Sequence, residues 1–434
     1  MNLYMVSLGC SKNMVDSEMI LGTIKDDITL IKSPEDADLI IVNTCAFIES
    51  AKKEAIDTIL ELIDYKKKDA KLIVCGCLSQ RYKTELEKSM PEVDRFISID
   101  EYSNIRTIIK DVVKSNFKSN DSFSPLNRIY TTPNYYRYIK ISDGCLNRCA
   151  FCAIPLIRGK LKSDKIEDIV EEVKMAVNDG VYEINLISQD TTKYGYDLYK
   201  KLALVDLLKE LVKIPGDFKI RLLYLYPEVV TDELIEFIKN DDHMMHYFDI
   251  PVQHASDKIL SKMLRRSNKE LLYTLFHKIR NEIPDAILRT TLIVGFSYEE
   301  EEDVLELLDF VNDIKFDRLG AFTFSLEENT KACTYPNIIS EAEKNKRYER
   351  VMSLQNKIAK ENNQKYINTV LKDCFIIGYD EESYMYMARN YMYAPDDIDG
   401  VIYVAGKKDL ELGEKVNVKI LDCDEYTLTG EQVE

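Results

Sequence analysis

The chain has 434 residues, 45 % of them hydrophobic and 31 % charged, and no apolar run reaches membrane-spanning length. That balance excludes both a disordered chain and a bilayer-embedded one, and the length predicts two or three domains, each with its own core. Its 75 acidic residues against 58 basic ones leave a formal charge of −17. An acidic chain lacks the counterion-release term that drives binding to phosphate backbones, so the charge argues against nucleic acid and for a basic protein partner.

The opening residues, MetAsnLeuTyrMetValSer, carry neither a basic n-region nor a cleavage site, so a cytoplasmic chain is expected. Ten cysteines in such a chain predict metal binding or catalysis rather than disulfides. Three apolar runs in the first third each lead to a cysteine: Leu3 to Leu8 to Cys10, Leu39 to Val42 to Cys45, and Leu72 to Val74 to Cys77. Each run reads as a buried parallel strand followed by a helix, over Asn13 to Ile24, Glu49 to Tyr65 and Ser79 to Lys88. A fourth unit, ArgPheIleSerIle with a helix over Asn104 to Lys114, completes a doubly wound α/β domain spanning residues 1–115. Ligands of such sheets gather beyond the carboxyl ends of the strands, where all three cysteines fall. One buried cysteine in a strand is ordinary packing. Three at equivalent strand ends point to a second iron–sulfur site with three protein ligands. Cys75 points to the opposite face by strand alternation and is expected in the core.

Residues 116–133 are polar, with Asn, Ser and Pro, and read as a linker. The strand TyrArgTyrIleLysIleSer then delivers the stretch Gly144 to Pro155, in which Cys145, Cys149 and Cys152 form a CxxxCxxC array. A short loop with that spacing turns three thiolates toward one point, as an iron–sulfur cubane requires. Three ligands leave one iron open, the mark of a catalytic rather than a closed site, and no nearby fourth Cys or His completes a zinc shell. This array, with Phe151 before its last cysteine, resembles the radical S-adenosylmethionine (SAM) superfamily, in which the open iron chelates SAM. Strands and helices alternate from there to Phe324, six βα units that fit an open, partial (β/α) barrel over residues 134–366. A charged helix over Glu341 to Asn362 closes it.

The stretches SerLeuGlyCysSerLysAsnMetValAspSerGlu, AsnThrCysAlaPheIle and CysGlyCysLeuSerGlnArgTyr resemble the methylthiotransferases, radical SAM enzymes with an auxiliary cluster on such an N-terminal domain. The resemblance implies two 4Fe-4S clusters, one on Cys10, Cys45 and Cys77 and one on Cys145, Cys149 and Cys152, with SAM as cofactor. It also implies SAM contacts from Ser188, Gln189 and Asp190 after the second strand, Gln253 beside His254 after the fourth, and Arg289 in the fifth. An ion pair with a neighbouring acid is the alternative for Arg289. SerGlnAspThrThrLysTyrGly, LeuTyrLeuTyrPro and PheSerLeuGluGluAsnThrLysAla look like the branch of that family that acts on an aspartate of a small-subunit ribosomal protein, S-twelve. The chain departs from the family after Phe296, where SerTyrGluGlu replaces a ProGlyGluThr-like turn.

From Leu371 the pattern changes to about five short strands, a small barrel over residues 367–434 like the OB folds, which resembles the TRAM domain. Residues 371–434 hold 15 acidic and 6 basic residues, a net of −9, so the basic footprint of an RNA binder is missing and a basic protein fits better. Cys333, Cys374 and Cys423 lack partner spacing and are expected to pack. The resemblance implies that the cluster of Cys145 splits SAM to a 5′-deoxyadenosyl radical, which takes hydrogen from the aspartate β-carbon. Sulfur at the auxiliary cluster then couples to that carbon, and a second SAM supplies the methyl group. A reductant such as flavodoxin or ferredoxin and a monomeric chain go with this reading. Its rivals are the same chemistry on tRNA adenosine and a non-catalytic two-cluster electron carrier; carriers usually close all four iron positions.

Overall fold

The computed structural model describes residues 1–434 except 116, 118–120, 337, 397 and 407–408. The N-terminal unit comprises β1 (Asn2–Ser7), α1 (Ser11–Gly22), β2 (Thr29–Leu30), β3 (Leu39–Thr44), α2 (Glu49–Tyr65), β4 (Lys71–Gly76), α3 (Cys77–Ser89), β5 (Arg95–Ile97) and α4 (Ile105–Val113). Its five strands run in the order β2-β1-β3-β4-β5, all parallel. β3 is buried along its full length because helices cover both faces, which is why it reads as a continuous apolar run. Two cores result, one around Ile40, Val42 and Ile59 and one around Leu3, Ile41 and Ile105. The edge strand Thr29–Leu30 has too short a signal to be read from sequence.

The central unit is a six-stranded parallel sheet whose neighbours, in order, are Arg318–Thr323, Ile287–Val294, Met244–Asp249, Lys219–Leu222, Glu183–Ile187 and Tyr136–Lys140. It is the expected partial barrel. In Ile287–Val294, Leu288, Leu292 and Val294 pack outward on the helices while Arg289, Thr291 and Ile293 are only partly covered, facing the lumen. The last helix, Glu341–Gln364, lies along this sheet, with Val351 and Ile358 in its outer core.

Residues 370–433 form a closed five-stranded barrel, in the order Val370–Asp380, Met385–Arg389, Val401–Ala405, Thr427–Val433 and Lys415–Cys423. Its core is continuous with the lumen of the sheet: Tyr138, Ile187, Leu223 and Tyr247 pack with Met392, Tyr393 and Ala394. Arg221 donates to Glu183 and to the carbonyls of Tyr391 and Tyr393, all at 2.8 or 2.9 Å. Tyr136 donates to Asp396 at 3.0 Å, and the Tyr138 hydroxyl to the same carboxylate. Where a full (β/α) barrel fills its own interior with side chains, this open one borrows a loop from the C-terminal unit.

Two expectations change. The described part of the linker is tied down rather than slack. Phe123 and Ile129 pack into the N-terminal core, the Asn127 amide donates to the Gly22 carbonyl at 3.0 Å, and Arg128 is buried between Glu18 and Glu172. Part of the segment read as linker, residues 116 and 118–120, lies outside the described residues. Cys333 does not pack: it is exposed and its thiol donates to the Glu327 carbonyl at 2.9 Å, whereas Cys374 is buried as expected. Among the described residues no helix is long and apolar enough to cross a membrane.

Candidate functional site

Cys145, Cys149 and Cys152 lie on the loop that leaves Tyr136–Lys140, pinned by a backbone bond from Cys145 to Gly159 (3.2 Å) and one from Cys152 to Cys149 (3.1 Å). Backbone N–H groups of Asn147 and Ile154 each donate to a sulfur, of Cys145 and Cys152 respectively, at 3.4 Å. Burial pushes the Cys145 thiol up to about 11, and burial with the charges of Cys149 and Cys145 raises Cys152 well above the ordinary range. The three sulfurs therefore feel one another across one space. Cys149 Sγ also stands 2.8 Å from the Tyr226 hydroxyl.

The second set converges from three strand ends. Cys10 caps α1, Cys45 follows β3, and Cys77 opens α3. Two glycines make this possible. At Gly9 (φ +90°) a Cβ would stand 2.6 Å from Cys45 Cβ, and at Gly76 (φ +95°) one would stand 2.3 Å from Asn43 Oδ1. Asn13 ties the turns together, donating to the Leu8 and Thr44 carbonyls at 3.0 and 2.9 Å. Burial pushes Cys77 up to about 12, against the pull of Arg158, and Cys45 and Cys10 add to the rise. Cys75 lies on the other face, fully buried among Ile73, Ile97 and Tyr102.

Among the described residues no three His, Cys, Asp or Glu side chains gather at the spacing of a single metal ion. A cubane differs from a single ion in that each thiolate takes a different iron. Each set offers three mutually coupled thiols, and the N–H donors to sulfur are of the kind that tune such clusters. The donor chemistry fits 4Fe-4S at both places.

The two sets share a crevice. Tyr224 stacks under Lys12, two residues from Cys10, with the ammonium 3.3 Å from the ring centroid, while Tyr226 reaches Cys149. Two residues of chain span no more than about 7 Å. Arg158, six residues after Cys152, donates to Asn13 and lies 3.7 Å from Cys77 Sγ. Around it, the buried Asp16 from α1 and the partly exposed Asp143 face Lys140 and Arg158, a quartet with no net charge. On the far side Glu327 pairs with Arg81 (3.1 Å) and Lys52 (3.3 Å). The Cys-bearing edge of the first sheet thus packs over the mouth of the partial barrel.

Of the other expected residues, Asp190 accepts from Asn147 in the Cys145 loop at 2.6 Å, and Ser188 Oγ accepts from its backbone at 3.0 Å. Gln189 donates to Asp143 at 3.1 Å and keeps a buried Oε1 without a hydrogen-bond partner. Gln253 bends the chain past its strand (φ +72°) while its backbone bonds to Thr291 and Ile293. His254 is buried against Glu299 at 3.5 Å. Arg289 is found in the ion-pair alternative: its guanidinium is engaged by Asp249 (2.8 Å) and Asp399 (3.1 Å), where the C-terminal loop enters the lumen. After Phe296 the turn keeps a left-handed residue, φ +72°, although Tyr298 occupies it, and Glu299 braces it through the Gly295 and Phe296 N–H groups. Sequence reading missed Lys12, Arg158, Tyr226 and Arg265, whose guanidinium lies 3.8 Å over the Tyr226 ring. Only Lys12 and Arg158 had a signal, as basic residues flanking the cysteine motifs.

Residues 2–98 match the family described as Uncharacterized protein family UPF0004, residues 139–311 the Radical SAM superfamily, and residues 372–433 the TRAM domain. The protein is 45 % identical to the ribosomal protein uS12 methylthiotransferase RimO of Acetivibrio thermocellus, over 99 % of this chain and 97 % of the relative. It is 46 % identical to the RimO of Clostridioides difficile, over 98 % and 97 %. The solved radical SAM methyltransferase TsrM of Kitasatospora setae, with cobalamin and a 4Fe-4S cluster bound, has a TM-score of 0.56 at 12 % identity. That match covers 86 % of this chain and 80 % of TsrM, a likeness of fold. With such identity along nearly its whole length, the chain belongs to the RimO family of radical SAM methylthiotransferases.

Proposed function

We propose that the protein converts a C–H bond to C–SCH3 on the β-carbon of an aspartate in ribosomal protein uS12, the substrate in its relatives' name. Cys145, Cys149 and Cys152 would hold the SAM-binding 4Fe-4S cluster, and Cys10, Cys45 and Cys77 the auxiliary one. When bound, these groups supply the electron, the hydrogen-abstracting fragment and the sulfur. One observation carries the reading: Tyr224 and Tyr226, two residues apart, reach toward the two cysteine sets, so both face one crevice.

The chain's own part is to position and to exclude water. Ser188, Gln189 and Asp190 border the Cys145 loop and offer polar groups to SAM, with Gln189 Oε1 free to accept. Gln253 remains a candidate for the same role. The neutral quartet at Arg158 seats the first sheet, and Arg81 and Lys52 on Glu327 close the opposite wall. A dry crevice protects reactive species from water. The acidic C-terminal barrel suits a basic ribosomal protein. A flavodoxin or ferredoxin as reductant, a monomer, and a cytoplasmic site of action complete the proposal.

The test is the mass of uS12 from cells with and without this gene. Loss of one methylthio increment, localised to a single aspartate, supports the reading. An unchanged mass refutes the substrate and turns attention to tRNA nucleosides. Replacing Cys145, Cys149 and Cys152 with Ala, or the other three, should each leave about half the iron.

A further inference from the structure

Lys12 sits two residues past Cys10 and is 8 % exposed. The other cations of this interface are answered by acids: Lys140 and Arg158 by Asp16 and Asp143, Arg128 by Glu18 and Glu172, Arg81 by Glu327. Lys12 makes no such pair among the described residues; its ammonium stands over the Tyr224 ring. Tyr224 and the Cys10 sulfur act on it more strongly than Asp249, the only carboxylate that does, and that carboxylate is held by Arg289 at 2.8 Å and by the Tyr224 N–H at 2.9 Å. These groups keep the ammonium charged but give it no carboxylate of its own, which leaves it able to pair with one from outside the chain. Tyr224 adopts φ +63°, a strained backbone for an L residue, in the position that keeps its ring beneath that ammonium. Backbone strain and a cation without a carboxylate partner coincide on the wall of the crevice that both cysteine sets face.

We propose that Lys12 is the specificity residue for the substrate side chain: its ammonium receives the carboxylate of the aspartate to be modified. This rests on the uS12 reading above. That carboxylate is bonded directly to the β-carbon, so a cation that holds it also orients the C–H bond that must react. Asparagine has the same shape without the charge and is rejected because the ammonium stays unpaired. If Lys12 served only to balance the cysteine thiolates, its loss would affect aspartate and asparagine substrates alike.

The experiment measures binding of labelled uS12 to the cluster-loaded full chain, with aspartate or asparagine at the position located by mass analysis. The unsubstituted enzyme is expected to prefer aspartate by on the order of ten- to a hundredfold. In Lys12→Gln that ratio falls to near one, and Lys12→Arg restores part of it. A ratio unchanged in Lys12→Gln overturns the proposal while leaving the substrate reading intact. An unsubstituted enzyme with no preference for aspartate overturns it too, whereas the substrate reading itself fails only if the mass analysis finds no methylthio increment on an aspartate. Zero-length carbodiimide coupling needs no variant, so it decides even if Lys12→Gln fails to load its clusters. A link from that aspartate to Lys12 supports the assignment, and links only to other lysines, or none, overturn it.

Discussion

Asp16 is the residue on which the seating of the N-terminal sheet turns. It is 1 % exposed and accepts from Arg158 at 2.5 Å and from Lys140, both of the central unit. Asp143 accepts from the same two cations at 3.1 and 3.2 Å, so two acids and two bases cancel. Asp16→Asn keeps the shape and leaves two buried cations facing one carboxylate. Breaking one side of a buried ion pair costs about 3–5 kcal/mol. Asp143 still faces both cations, so the lower end applies, about 3 kcal/mol, or on the order of a hundredfold in the folded-to-opened ratio. Urea unfolding of the anaerobic, cluster-loaded protein, followed by circular dichroism because the chain has no Trp, should show a lower midpoint with an unchanged slope. Glu233→Gln, which removes the exposed partner of Lys209, is the control and should leave the midpoint in place. A loss below about 1 kcal/mol for Asp16→Asn would mean that the quartet does not seat the sheet, and the reasoning fails.

Gly9→Ala should drive a methyl into Cys45 and empty the auxiliary site alone, halving iron content roughly while the Cys145 cluster stays; full iron content would refute the tight approach. Burial holds Cys77 near 12 and Cys145 near 11, above the thiol's ordinary value, so both are protonated in metal-free protein at neutral pH. Loading must release those protons, and iron retention against a chelator should weaken as pH is lowered from about 8 to 6; a flat profile would contradict it. Asp164 is raised by burial to about 6, so its protonated form stabilises the fold below the unfolded value near 3.9 and that contribution is lost as pH rises through 6. Asp164→Asn should therefore unfold at higher urea at pH 7 and lose less stability between about pH 4 and 6. Asp399→Ala removes the acceptor of the Tyr247 hydroxyl, the Ala394 N–H and Arg289, and should cost about 2–4 kcal/mol. A C-terminal barrel that merely hung from the chain would tolerate that change.

Local pattern carried much of this protein. Continuous apolar runs marked β3 and β4 because strands covered on both faces need no alternation, whereas β1, with the same kind of run, is fully buried only at Leu3. The limits of Glu49–Tyr65 agree with the reading because turn residues and period changes bound it. Cys75 was placed in the core correctly but for the wrong reason: two residues from Cys77, it would share a face with it in a continuing strand, and it is Gly76, at φ +95°, that ends β4 and turns Cys77 to the crevice. The CxxxCxxC array and the three strand-end cysteines were legible because a short loop and a parallel sheet each converge by construction. Arg289 could not be assigned between SAM and an ion pair because its acids, Asp249 and Asp399, are 40 and 110 residues away and meet it only when the C-terminal loop enters the lumen. The anchoring of the linker was not legible because its polar residues find partners far along the chain, Asn127 at Gly22 and Arg128 at Glu18 and Glu172. Lys12 and Tyr224 carry no mutual signal, since their contact joins two units that the chain makes far apart. The sequence by itself determined which elements form and which thiols are offered. Only the tertiary structure decided which charges meet across the interfaces, because pairing depends on distances that local periodicity does not encode.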